Sequence, residues 1–224
     1  TDLMVEQAYL YLDTMKLQKA KNVAECITET YETEVKLLKA EILLNEGNLD
    51  EAEKLLDSIE DKESLNTILD VSYLYMDMGY PEKALSWLTL GIEEYKEEED
   101  FLAAMADCYR SGDHDEQAIY IYNKLIDKNP YDPSYWTGLA KSHFNRQEFE
   151  KTIEACDFAL AADENFGEAH LMKAHSFFHL ENESKAIQEY QLALKGQSIP
   201  PEFAHMFIGL AYTHLENWEL GYQN

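Results

Sequence analysis

His175 and His179 lie four residues apart, so a helix carrying them turns both imidazoles to one face, and His214 takes the neighbouring place one repeat later. Imidazoles grouped in this way are zinc-ligand chemistry. No glutamate completes an HExxH motif, and His143, His170 and His205 fall where packing claims them. The expectation is therefore an exposed polar cluster, with no metal and no other cofactor. Cys26, Cys108 and Cys156 are odd in number, far apart and without a CxxC pair, and they read as reduced, buried thiols. No glycine-rich phosphate loop, GxSxG motif or legible Cys-His pairing is present, and the glycines read as turn residues. Catalytic residues are accordingly not expected, and the chain reads as a non-enzyme. Glu93 to Asp100, EEYKEEED, reads as a solvated junction between helical units.

The elements that would position these side chains belong to an acidic, folded chain. Asp and Glu number 44 against 18 Lys and Arg, a formal charge of -26. Residues 1 to 100 hold 25 acids and 9 bases, net -16, and residues 101 to 224 hold 19 and 9, net -10. That sign repels phosphate backbones and argues against a nucleic-acid partner. An apolar content of 46% is too high for disorder, and no apolar run approaches the length of a membrane span. The opening Thr1-Asp2-Leu3-Met4 has neither the basic segment nor the apolar core of a signal peptide. A cytoplasmic location is expected, with an exported and trimmed form as the alternative.

Alanines recur in step at Ala20, Ala52, Ala84, Ala118, Ala174 and Ala186, the first four sharing one slot of a 32- to 34-residue repeat. Such a period signals stacked units of one small supersecondary element. Unit starts fall near Thr1, Thr33, Leu65, Glu99, Pro133, Gly167 and Glu202, the last unit being cut short at Asn224. Within a unit, Leu102, Met105, Ala106 and Tyr109 keep helical spacing, a break follows at Ser111-Gly112-Asp113, and Ala118, Ile121, Tyr122 and Leu125 resume it. Gly47, Gly79 and Gly112-Asp113 supply left-handed turn residues, while Pro81 suits a first helical turn and Asn129-Pro130-Tyr131-Asp132-Pro133 separates two units. Each unit is expected to be helix, turn, helix.

These residues resemble the tetratricopeptide repeat family. Trp136, Leu139, Ala140, Ala159 and the preceding Pro130 match its signature; Ala174, Phe177, Ala186, Tyr190 and Ala193 repeat it, as do Ala106, Tyr109, Ala118, Tyr122 and Pro130. Thr152, Gly91 and Gly221 stand where alanine is expected, and the short final helix suggests that the native chain continues. The resemblance, which is to a bacterial-type scaffold of this family, implies an all-α, right-handed α-solenoid. It would form a single domain over 1-224, with units near 1-32, 33-64, 65-98, 99-132, 133-166 and 167-201 and a partial unit at 202-224. A pentatricopeptide array has a similar period, but it binds RNA and the charge here is wrong for that.

In the family the first helices of successive units line a groove. What the resemblance implies here is an acidic, tyrosine-bearing half with Glu6, Tyr9, Asp13, Glu41, Asn45, Asn66, Asp70, Tyr73, Asp77, Asp100 and Asp107. An aromatic half follows with Phe144, Leu171, Met172, His175, Phe178, His179, Phe203, Met206 and Phe207. Lys141 and Asn145 hold consecutive groove positions, yet no Lys or Arg joins them in the next unit, so a clamp for a terminal carboxylate is not expected. Tyr73, Asp77 and Asp107 are the expected contacts for a basic element, and Phe144, Met172, His175 and Phe178 for an apolar one. The bland alternatives are that the acids only solvate an exposed face and that the aromatics pack under a further helix. By this reading the function is a non-enzymatic scaffold binding a protein or peptide segment that is basic or amphipathic. Alternatives are a regulatory or substrate-recruiting arm of a larger enzyme and a homo-oligomeric module joined through Trp218, Leu220 and Tyr222.

Overall fold

The computed structural model describes residues 2-27, 32-195 and 201-214. Trp218, Leu220, Gly221 and Tyr222 lie outside them, as does the side chain of Phe203. Among the described residues run thirteen α-helices and no strand, and no helix is long and apolar enough to cross a membrane. The chain gathers into two compact units, residues 1-104 and 105-224. The first holds α1 (Asp2–Asp13), α2 (Leu17–Cys26), α3 (Glu32–Asn45), α4 (Leu49–Asp57), α5 (Leu65–Asp77) and α6 (Pro81–Tyr95). Helix α7 (Glu99–Ser111) contains the division. The second unit continues with α8 (Asp115–Lys128), α9 (Pro133–Asn145), α10 (Phe149–Ala162), α11 (Gly167–His179), α12 (Glu183–Lys195) and α13 (Pro201–His214). Both are helical-repeat solenoids in which odd-numbered first helices alternate with even-numbered second helices.

One backbone device closes every helix-turn-helix. A single left-handed residue follows the first helix at Met15, Gly47, Gly79, Asp113, Gln147 and Glu181, with φ of 53°, 79°, 77°, 60°, 60° and 55°. Its amide donates three residues back and the next amide five back, as in Gly47 N to Leu44 O at 2.9 Å and Asn48 N to Leu43 O at 2.8 Å. Gln147 N to Phe144 O at 2.8 Å and Glu148 N to His143 O at 2.9 Å repeat the pattern. This is the Schellman arrangement, which satisfies carbonyls that a helix end leaves open. Asp113, rather than its neighbour Gly112, takes the left-handed place in the fourth turn. Helix starts are set more variously: Pro81 and Pro133 open α6 and α9, and Asp132 caps α9 by accepting from Ser134 N at 2.8 Å.

The stepped alanines lie at the helix contacts. Ala20, Ala52, Ala84, Ala118, Ala174 and Ala186 are all fully buried, because a methyl group lets two helices approach closely. In the first unit Ala8, Leu12, Ala20, Ala24, Leu38 and Ile42 form one cluster across α1, α2 and α3. The Tyr75 hydroxyl ties α5 to α4 by donating to Asp57 Oδ1 at 2.6 Å. In the second, Ala174, Ala186, Ile187, Tyr190, Ile208 and Ala211 join α11, α12 and α13. Thr152, in the alanine slot of α10, is buried, and its hydroxyl donates to Glu148 O at 3.2 Å, so no polar group is stranded. Trp136 Nε1 donates to Pro130 O at 2.8 Å while its ring stacks on Phe158, centroids 4.6 Å apart.

Two sequence expectations need correction. Not every glycine is a turn residue: Gly91 and Gly138 lie inside helices, where neighbouring rings leave no room for a side chain. A Cβ on Gly138 would stand 2.3 Å from the Tyr122 ring. The three cysteines are free, but only Cys108 and Cys156 are buried, each thiol pushed up to about 12 chiefly by that burial; Cys26 is exposed. Cys26 ends α2 between Ala24 and Ile27, which pack on the first-unit cluster, and its own side chain takes no part in that cluster.

Candidate functional site

In the first unit, α1, α3 and α5 stand side by side as first helices and enclose a cleft of about 420 Å³ lined by Tyr9, Leu37, Glu41, Asp70, Tyr73, Leu74 and Asp77. Leu37 and Leu74 give it an apolar base, being 4% and 9% exposed, whereas the Tyr73 ring is 46% exposed. Asp70, Tyr73 and Asp77 share one face of α5, because steps of three, four and seven residues return to the same side of a helix. A second cleft, of about 550 Å³, shares Leu37 and Asp70 with the first and adds Glu32, Thr33, Glu34, Asp61, Ser64, Asn66 and Thr67. Among the described residues, no lysine or arginine lines either cleft.

Electrostatics follow from that lining. Asp70 is reached by water through the cleft, but the surrounding walls displace part of its hydration and raise its carboxyl above the usual range. The Tyr9 hydroxyl is raised too, first by burial and then by Glu41, Asp70 and Glu34. Asp61 is different: Thr67 Oγ1 donates to it at 2.7 Å and Ser64 N at 3.1 Å, and these bonds lower its carboxyl.

In the second unit the expected groove residues divide. Asp107 accepts from Tyr122 Oη at 2.7 Å and Arg110 Nη2 at 3.0 Å. Lys141 pairs with Glu168 at 2.6 Å, and Asn145 Nδ2 donates to Asp115 Oδ1 at 3.0 Å. Phe144, His175 and His179 instead belong to a ring lattice. His179 lies flat on Phe149 at 4.8 Å, and Phe144 sits 5.5 Å from Phe149, 5.5 Å from His179 and 6.2 Å from His175. His175 meets Phe207 edge-on at 4.6 Å, with its Nδ1 2.8 Å from the Tyr190 hydroxyl. Burial, aided by His179, pulls its imidazole down to about 4, so it stands neutral at pH 7. Phe178 lies 5.2 Å from His214, and Met172 is half-buried one turn before His175 on α11. His214 Nδ1 faces Glu183 Oε1 at 3.3 Å. Among the described residues no group of three or more His, Cys, Asp or Glu side chains is placed to hold a metal ion.

A family model described as tetratricopeptide repeat matches residues 137–202. The fold agrees with it along nearly the whole length. A crystal structure of a tetratricopeptide repeat protein from Parabacteroides merdae covers 98% of this chain and 88% of its own, with a TM-score of 0.76 and 15% identity. The chain carries a tetratricopeptide repeat match over residues 137–202 and has the fold of tetratricopeptide repeat proteins. A thermophilic protein of the same kind, TTC0263 from Thermus thermophilus, covers 70% of this chain and 86% of its own, with a TM-score of 0.63 and 13% identity. In sequence, human RNA polymerase II-associated protein 3 is 28% identical over 87 residues, 39% of this chain; the match spans 13% of that protein's length.

First-helix slots alone miss residues that reach the same faces from elsewhere. Phe149 opens α10 and stacks on His179, while Tyr122 and Tyr190, equivalent positions two repeats apart, send hydroxyls to Asp107 and His175. Leu37 and Leu74, at the base of the cleft, stand outside the expected slots. Recurrence of tyrosine at a 68-residue offset was the available signal for the hydroxyl pair.

Proposed function

We propose that the chain is a non-enzymatic interaction scaffold that holds a segment of another protein against the faces of its first helices. The observation that carries this reading is the cleft of the first unit. It has a leucine base, two tyrosines and three carboxylates within about 420 Å³, inside the roughly 300–1,000 Å³ range of small-ligand and side-chain sites. Its charge favours a basic segment through steering and complementarity. In the second unit Phe144, Phe178, Met172, His175 and His179 offer rings and thioether to an apolar anchor. Lys141, Asn145 and Asp107 contribute differently, since their polar groups already meet Glu168, Asp115 and Tyr122.

Selection of a displayed peptide library on the immobilised chain tests the reading. Peptides carrying basic residues and an apolar anchor should be enriched. Phe144→Ala combined with Phe178→Ala should weaken their capture while the helical circular-dichroism signal persists, and Tyr73→Ala with Asp77→Asn should do the same. No enrichment, or capture unchanged in both double variants, overturns the proposal.

A further inference from the structure

The first-unit cleft is amphipathic, with buried leucines beneath exposed carboxylates and a tyrosine, and its lining specifies the side chain that fits. Leu37 and Leu74 form its base, the rings of Tyr9 and Tyr73 contribute aromatic walls, and Glu41, Asp70 and Asp77 supply the charge. Asp70 and Asp77 are separated by two helical turns, about 10 Å along α5, with Tyr73 between them. The adjoining cleft extends the negative field through Glu34 and Asp61. Among the described residues neither cleft is lined by a cation, and Lys36 nearby is paired with Glu32 at 2.8 Å.

We infer that this cleft takes one arginine side chain of a partner segment, its stem against Leu37 and Leu74, its guanidinium stacked at Tyr73 and forked toward Asp70. The inference rests on the protein-binding reading and narrows it to a residue type. Arginine fits better than lysine for three reasons: its planar head stacks on an aromatic face, its fork matches a carboxylate, and its weaker hydration makes entry less costly. A long side chain with an apolar stem and a charged tip also matches a cavity with an apolar base and acidic walls. The raised carboxyl of Asp70, partly desolvated by the cleft walls, is in keeping with this, because a neighbouring cation favours its charged form.

Amide-resolved NMR titration of the full chain tests the inference, with Nα-acetylarginine methylamide and its lysine and citrulline counterparts as probes. The arginine probe should shift the amides of Tyr9, Leu37, Glu41, Asp70, Tyr73 and Asp77 saturably. The lysine probe should bind more weakly, and the uncharged citrulline probe should leave these amides still. Asp70→Asn should weaken the arginine probe about tenfold, as expected for loss of a charge-assisted hydrogen bond. Glu94→Gln, on α6 and outside both clefts, should leave binding unchanged. Equal weakening by the two substitutions means diffuse attraction and overturns the site, as does citrulline binding as well as arginine. If library peptides are captured but none needs arginine at this cleft, the subsite fails while the scaffold reading stands. If the arginine probe saturates the cleft and no peptide is captured, the reverse holds.

Discussion

Gly138→Ala is the substitution whose cost the geometry predicts most directly. In an ordinary helix interior the change would stabilise by about 1 kcal/mol through backbone propensity. Here the added Cβ would stand 2.3 Å from Cε1 and Cζ of Tyr122 and 2.8 Å from its hydroxyl oxygen. Ordinary contact begins near 3.4 Å, so the ring must retreat by 3.4 minus 2.3, about 1.1 Å. Tyr122 is buried, and its hydroxyl donates at 2.7 Å to Asp107, so retreat loses both the fit and the bond. Overpacking costs about 1–3 kcal/mol. Loss of a hydrogen bond to a charged group costs about 1.5–3 kcal/mol. After the propensity gain, the net expectation is destabilisation of about 1.5–5 kcal/mol. Urea unfolding followed by tryptophan fluorescence measures it, Trp136 lying on the same helix as Gly138. Tyr122→Leu in the Gly138→Ala background should recover part of the loss relative to Tyr122→Leu alone. A Gly138→Ala chain as stable as the parent would refute the reasoning.

The turns and the carboxylates yield two further expectations. Gln147→Gly and Glu181→Gly should each stabilise by about 0.5–1 kcal/mol, since relief of a left-handed side chain, about 1–2 kcal/mol, outweighs the extra chain entropy of glycine; chemical denaturation that shows neither gain would count against the turn assignment. Glu148 is held down to about 2, first by its hydrogen bond with His143 and then by Lys151, so its contribution is complete above the unfolded value of 4.5 and is lost as pH falls through about 2. Glu148→Gln should therefore flatten the fall in stability between pH 4.5 and 2, and melting curves across that window that superimpose on the parent's would contradict it.

The alternation of helices was legible because its causes are local and repeated. Alanine at five of the six second-helix contacts, aromatic residues in the wider gaps and proline at three helix starts all act within a span of a few turns. Cys26 and the helical glycines were read wrongly because exposure at a helix end, and the approach of Tyr122 to Gly138, depend on neighbouring helices. The candidate site was legible only as a set of slots. Tyr73 and Asp77 do line the cleft, whereas Asp107, Lys141 and Asn145 meet internal partners that lie between 3 and 30 residues away in sequence. A list of slots carries no such pairing information. Phe149 and the hydroxyls of Tyr122 and Tyr190 were missed for a related reason: they approach from second helices, where periodicity marks a residue as framework and says nothing of its polar tip.

Each of the six left-handed turns is closed by the same pair of main-chain hydrogen bonds, and residues as unlike as Met15, Gly47, Asp113 and Glu181 occupy the same place in them. Because the main chain closes the reversal, side chains at and beside these turns can also serve as cross-links between repeats: Glu46 with Lys21 at 3.1 Å, Asn145 with Asp115 at 3.0 Å, and Arg146 with Glu116 at 3.0 Å. Chain reversal and repeat-to-repeat adhesion are thus encoded by separate atoms of the same segment. Mutation can retune the stiffness of one junction without touching the reversal that makes it, so neighbouring repeats are free to diverge at different rates.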